Sequence, residues 1–257
     1  MPSTTPTPPS HPIPVTAVKT PSGALRPLLI AHRCGAGLGP ENTCAALVQS
    51  SFYRPDFYEV DIRHTLDGVA VCLHDPTLDR TTDLSGNISD KTWADISGAD
   101  AGGWLSSTYT GEPLPRFERM LDCVNPAPLA IELKEPDISP DRLAALVAAL
   151  DKRRDKSSVV MSFHATALDA WRTADSSHRR TVYLTVQVDD YALNGPHDVV
   201  GLSAESCSQE NVRKIHAIGK AVWVWTVNDD FEDYIALEVD GIVTDQPDFL
   251  RRALPPS

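Results

Sequence analysis

The sequence predicts an α/β fold, a TIM-like (β/α)8 barrel with a small insertion after its third strand. Three observations predict it. Short runs rich in Val, Ile and Leu alternate with helix-patterned stretches, as in a parallel sheet covered by helices. Nine strand candidates stand against seven helix candidates, which suits a closed barrel with one irregular connection better than a regular doubly wound sheet. The 257 residues, 42% hydrophobic, are enough to fill one large core.

Residues 1–27 hold eight of the 21 prolines, interleaved with Ser and Thr, and are expected to form a disordered or extended arm because proline removes backbone donors. Regular structure is expected from Leu28, in one barrel domain over 28–254. The strand candidates are 28–32, 58–62, 69–74, 129–133, 159–162, 182–186, 199–202, 222–227 and 241–244. The helix candidates lie near 42–52, 115–124, 140–152, 165–174, 208–218, 229–237 and 246–253. Only residues 63–68 separate Asp61 from the run at Val69, too few for a parallel crossover. The pair Asp67-Gly68 reads as a two-residue hairpin turn, in which positions summing to 135 face each other and Asp61 sits opposite His74. Residues 76–113 are polar, aperiodic and Gly-rich, which is expected of a small insertion or lid at the barrel mouth, with Trp93, Trp104 and Tyr109 as its apolar bulk.

A net charge of -12 and a pI near 5.0 argue against nucleic acid or an anionic membrane surface as partner, so a phosphate ligand must be held by a local metal or a few cations. The longest apolar runs are strand-sized, so no integral membrane segment is expected. No basic flank precedes an apolar stretch at the N-terminus, and a soluble, cytoplasmic protein is expected. The five cysteines are odd in number and lack Cys-x-x-Cys spacing, which reads as free thiols in a reducing compartment.

Catalytic groups of such barrels gather at the C-terminal ends of strands. Here those ends carry His32 and Arg33, Glu59 and Asp61, His74 and Asp75, and Glu132 and Lys134. Glu59 and Asp61 are two apart in a strand, so both project to one face, and Glu132 joins them from another strand end. Taken singly, each acid reads as a solvated or salt-bridged group. Together, embedded in apolar runs, three carboxylates are costly to bury unless a cation offsets their charge, and all-oxygen ligation suits Mg²⁺ or Ca²⁺. A lone histidine after an apolar strand is ordinarily structural, but two beside the acids suit a general acid and base. Arg33 and Lys134 add positive charge for a phosphate, or for the neighbouring carboxylates.

The stretches His32-Arg33-Cys34-Gly35, Pro40-Glu41-Asn42-Thr43, Glu59-Val60-Asp61, Asp67-Gly68, His74-Asp75, Arg80-Thr81-Thr82, Ile131-Glu132-Leu133-Lys134, Trp225-Thr226-Val227-Asn228 and the run from Asp240 to Asp245 resemble, in order, the motifs of glycerophosphodiester phosphodiesterases. The resemblance spans about 28–254. It implies a TIM-like barrel with its insertion at 76–113, and one divalent cation held by Glu59, Asp61 and Glu132. It further implies His32 and His74 as acid and base, Arg33 and Lys134 on the phosphate, and hydrolysis of glycerophosphodiesters to an alcohol and glycerol 3-phosphate, with a glycerophosphodiester or lysophospholipid as the small-molecule partner. Two competitors are a phospholipase D of the sphingomyelinase type, which forms a cyclic phosphate, and a catalytically silent phosphodiester-binding barrel. Glu41 reads equally as a metal or substrate contact and as an acid complementing a helix N-terminus. Trp225 reads as a wall of the substrate pocket or as core. Cys34 stands where the family has glycine. If that position needs a positive φ, Cys34 either strains the loop or shifts the conformation onto Gly35. A thiol nucleophile is the sharper reading of Cys34, and a merely small residue the plainer one.

Overall fold

The computed structural model describes residues 14–20, 23–123, 128–154 and 156–255. A short antiparallel ribbon, β1 (Val18–Lys19) with β2 (Leu25–Arg26), precedes the barrel. The remaining strands are β3 (Leu28–Ala31), β4 (Phe57–His64), β5 (Ala70–Cys72), β6 (Leu129–Leu133), β7 (Val159–Ser162), β8 (Thr181–Thr185), β9 (Val199–Ser203), β10 (Ala221–Trp225) and β11 (Gly241–Thr244). All of these except β5 run parallel, in the order β3-β11-β10-β9-β8-β7-β6-β4, and pairing of β3 with β4 closes the eight-stranded barrel. β5 lies antiparallel on the outer end of β4.

Helices α1 (Cys44–Ser51), α2 (Trp93–Ile96), α3 (Phe117–Cys123), α4 (Pro140–Lys152), α5 (Ala165–Ala174), α6 (Asp190–Asn194), α7 (Gln209–Ala217), α8 (Phe231–Ala236) and α9 (Pro247–Ala253) fill the connections. Thr43, Ser139 and Ser208 begin α1, α4 and α7 by accepting hydrogen bonds from Ala46, Arg142 and Asn211 N–H groups. α2 and α6, which no periodicity announces, are only four and five residues long.

Side-chain alternation along the strands sorts the core into two shells. Leu28, Ile30, Phe57, Ala130, Val159 and Trp223 are among those packing inside the barrel, whereas Leu29, Val60, Ile62, Ile131 and Val160 face the helices. The same alternation puts Glu59 and Asp61 on the inner face with Phe57, and Glu132 there with Ala130, at the end where the strands finish.

Three expectations need correction. The described part of the 1–27 segment is docked: Val15 is buried in the barrel's inner cluster, its carbonyl accepts from Trp223 Nε1 at 2.9 Å, and the Ala17 N–H donates to Asp240 at 3.0 Å. Arg26, also buried, forks onto Asp56 at 2.8 and 3.0 Å. Proline density does not reveal two valines that fit the open N-terminal end of a barrel; residues 1–13 and 21–22 lie outside the described residues. Secondly, the β4–β5 pairs sum to 134, as in Ile62 with Cys72, so Leu73 rather than His74 lies opposite Asp61. The Thr65 N–H bonds to the Val69 carbonyl around a three-residue loop ending in Gly68 at φ 82, the left-handed residue that such loops require. Thirdly, Cys44 and Cys123 form a disulfide that joins α1 to α3, so the free-thiol reading holds only for Cys34, Cys72 and Cys207. Helix packing brings together two cysteines 79 residues apart. Disulfides persist in oxidising surroundings, so this pair removes the argument for a reducing compartment.

The insertion after β5 has its own small core, in which Leu78, Ile88, Ile96, Ala99, Ala101 and Leu114 pack on Val71 and Leu73 of the hairpin. Trp93 lies against this core, whereas Trp104 is 39% exposed and Tyr109 reaches back to donate to the Leu38 carbonyl. No helix among the described residues is long and apolar enough to cross a membrane.

Candidate active site

The strand ends converge as their residue types suggest. Glu59, Asp61 and Glu132 are buried, and each places a carboxylate oxygen within 4.8 Å of the other two. Register explains this: Asp61 and Glu132 are paired neighbours across β4 and β6. Burial, with Asp61 and Glu132 nearby, pushes the Glu59 carboxyl well above its ordinary value. Burial and Asp61 likewise push Glu132 up to about 7, against the pull of Lys134. Asp61 differs: burial works against its charge, but Lys134, His74 and Arg33 outweigh it and hold the group below its ordinary value. Glu59 Oε1 and Asp61 Oδ1 are buried without a hydrogen-bond partner, and the Lys134 ammonium, 3.3 Å from Asp61 Oδ1, makes only an ion pair there. Orphaned oxygens in an all-carboxylate set fit a hard divalent cation.

His32 and His74 flank this cluster, and each is held by one ring nitrogen. His32 Nδ1 lies 2.7 Å from Asp245 and His74 Nδ1 lies 2.7 Å from Asp75. Both carboxylates are held below their ordinary values, Asp245 against the opposing effect of burial and Asp75 chiefly by Arg80, so each only accepts and each Nδ1 carries the proton. Both rings line the cleft, and His32 Nε2 is 3.9 Å from Glu59. Burial pushes the His74 imidazole below its ordinary value.

The turn after β3 is tightly wound. Arg33, Cys34 and Gly35 all have positive φ, at 48, 67 and 94°, so the strained conformation falls on the cysteine and the glycine alike. It aims the Arg33 N–H at Glu59 Oε2, 2.6 Å away, while Ser50 Oγ donates to the Cys34 carbonyl at 2.7 Å. The Cys34 thiol is buried against Met120 on the helix side, and burial pushes its pKa far up, so the nucleophile reading fails. Lys134 Nζ meets Glu132 at 2.7 Å, and the Arg33 guanidinium meets Glu41 at 2.8 Å and Asp61 at 3.6 Å. Glu41 is therefore neither in the acid cluster nor at a helix start. The Trp225 indole N–H donates to the Gly201 carbonyl at 2.8 Å, and its ring borders the cleft edge-on to Phe163, with centroids 5.1 Å apart.

The family model for the glycerophosphoryl diester phosphodiesterase family matches residues 32–249. The chain belongs to the glycerophosphoryl diester phosphodiesterase family. It is 30% identical to a Bacillus subtilis glycerophosphodiester phosphodiesterase over 88% of this chain and 86% of that one. An enzyme of the same name from Caldanaerobacter subterraneus is 26% identical over 88% and 97%. Among solved structures, an Agrobacterium tumefaciens glycerophosphodiester phosphodiesterase superposes with a TM-score of 0.75 at 26% identity, covering 88% of this chain and 99% of that chain. An Oleispira antarctica phosphodiesterase, solved in complex with the product sn-glycerol-3-phosphate, superposes with a TM-score of 0.78 at 23% identity over 89% and 96%. The protein is thus a phosphoric diester hydrolase on a TIM barrel.

Residue-by-residue reading missed the supports of this family's site. Asp245 ends β11, as the strand-end rule would have suggested, and Asn228 holds its other oxygen at 2.8 Å. Asn42 clasps Asp61 twice, donating to Oδ2 at 2.8 Å and accepting from its N–H at 3.0 Å.

Proposed function

We propose that the enzyme hydrolyses glycerophosphodiesters to an alcohol and glycerol 3-phosphate, and lysophospholipids to an alcohol and the acylated glycerol 3-phosphate, with acid and base catalysis by His32 and His74. The observation that carries this reading is two imidazoles, each anchored at Nδ1 by a carboxylate, lining one cleft with Glu59 and Glu132 of the buried acid cluster. Glu59, Asp61 and Glu132 would hold one divalent cation, Mg²⁺ or Ca²⁺. Such an ion supplies positive charge against the phosphoryl oxygens. Arg33 and Lys134, on either side of the acids, orient the phosphate and offset its charge. One Nε2 accepts the proton of the attacking hydroxyl, from water or from a neighbouring substrate group, and the other donates a proton to the departing alcohol oxygen. Met161, Phe163, Leu184 and Trp225 form an apolar wall opposite the charged residues and limit access of bulk water. The product complex of the Oleispira relative supports glycerol 3-phosphate as a product.

The test is a screen of glycerophosphocholine, glycerophosphoethanolamine, glycerophosphoinositol and lysophospholipids with each metal, with products followed by phosphorus NMR. A phosphomonoester is expected. An accumulating cyclic phosphate would favour the phospholipase D reading, and no turnover with any substrate and metal would favour a silent barrel. His32→Ala and His74→Ala are each expected to lower kcat by about 10²-fold with metal binding retained. On a p-nitrophenyl phosphodiester, which needs no acid, only the acid variant should recover. Equal, unrescued losses together with lost metal would overturn the proton-transfer assignment.

A further inference from the structure

We propose that Arg80, supplied by the insertion, is a positioning residue that holds His74 and Arg33 in one rigid frame. The inference rests on the reading of His74 as a proton-transfer group.

Arg80 is the centre of a four-pair chain. Its Nε and Nη2 donate to the two Asp75 oxygens at 2.7 and 3.1 Å, and its Nη1 and Nη2 donate to the two Glu41 oxygens at 2.8 Å each. From Asp75 the chain continues to His74 Nδ1, and from Glu41 to the Arg33 guanidinium, 2.7 and 2.8 Å away. A planar guanidinium can clamp two carboxylates at once, and an ammonium cannot match that geometry. The two ends sit on different loops, one after β3 and one after β5, and the strand pairs of the barrel do not tie them. Glu41 is largely buried while Arg80 is 43% exposed, so the clamp closes the rim of the site from outside. Arg80 also keeps Asp75 ionised, and an ionised Asp75 fixes the proton on His74 Nδ1 and the lone pair on Nε2. Arg80 therefore acts from the insertion through Asp75 and Glu41 on the two groups assigned to the substrate, His74 and Arg33.

Four proteins decide it: wild type, His74→Ala, Arg80→Ala and the double variant, with Arg80→Lys as the conservative control. Arg80→Ala should lower kcat about 10- to 100-fold while KM moves less than about threefold, and added guanidinium should restore part of kcat. Arg80→Lys, with the charge but not the fork, should remain impaired. The double variant should be slower than His74→Ala by less than the full Arg80→Ala factor, because the part of the Arg80 effect that runs through His74 is already gone and only the part through Arg33 remains. The imidazole ¹⁵N spectrum of Arg80→Ala should show His74 in mixed tautomers. Wild-type turnover in Arg80→Ala beside an impaired His74→Ala overturns this inference alone, as does a loss that adds in full to that of His74→Ala. Wild-type turnover in His74→Ala overturns the acid and base reading and this inference with it. Should Arg80→Ala not fold, full activity in Arg80→Lys overturns the fork.

Discussion

At the residue scale, three buried carboxylates set against each other are a liability until a cation joins them. Glu59 and Glu132 both have raised folded pKa values, so between about pH 4.5 and 7 the folded protein binds more protons than the unfolded chain. The contribution of these two acids is then greatest below that window and is lost as pH rises through it; the lowered Asp61 acts only at more acidic pH, and the lowered His74 and His197 act in the opposite sense. The melting-temperature gain of chelated Glu59→Gln over chelated wild type is accordingly expected to grow from pH 5 to pH 8, and saturating Mg²⁺ or Ca²⁺ to abolish it. Glu59→Gln should melt higher than wild type when chelated, yet lose the metal-induced rise and the metal-dependent turnover. A pH-independent difference between the two chelated proteins would refute the strained-cluster account. The turn beside the cluster gives a second prediction. Cys34→Ala should keep wild-type kcat, since the thiol faces the helices. Gly35→Ala should cost about 2 kcal/mol in urea titrations, because φ is 94° and its new Cβ would lie 2.8 Å from Ser50 Cβ.

At the element scale, strand identity follows from alternation, but strand pairing follows from turns. One residue of difference between a two-residue and a three-residue hairpin loop moved His74 from opposite Asp61 to one position beyond, yet left it at the site because it follows the strand rather than belonging to it. The α1–α3 disulfide is the other element-scale device. It closes a loop across 79 residues, and chain entropy puts its contribution at up to about 4 kcal/mol. The Cys44→Ala/Cys123→Ala variant should therefore unfold at lower denaturant, with kcat at 25 °C unchanged because neither sulfur touches the cleft. An unchanged midpoint in non-reducing buffer would mean that the pair is not joined.

At the scale of the whole molecule, the barrel has a chemical end and a sealed end. Val15 packs into the inner cluster from the end where the strands begin, and the proposed catalytic residues lie where they finish. Deleting residues 1–24 removes the Val15 burial, the Trp223 indole bond and the Ala17 bond to Asp240, so the melting temperature is expected to fall by several degrees, about what a loss of 1–2 kcal/mol produces. Activity at 25 °C should persist, since none of the described arm residues lines the cleft. Loss of activity without loss of stability would mean the arm acts on the chemistry instead.

The sequence by itself determined the alternation of strands and helices, the side of each strand that faces the barrel, and the strand ends that carry His32, Glu59, Asp61, His74 and Glu132. Those features are local, since burial periodicity and the position of a charged residue at the end of an apolar run can be read within a few neighbours. Tertiary structure alone decided the β4–β5 register, the Cys44–Cys123 bond, the docking of Val15 and the path from His74 through Arg80 to Arg33. Each of these joins groups whose meeting depends on how loops, helices or the arm pack against a closed barrel, and no residue pattern along one segment encodes which distant partner that packing delivers.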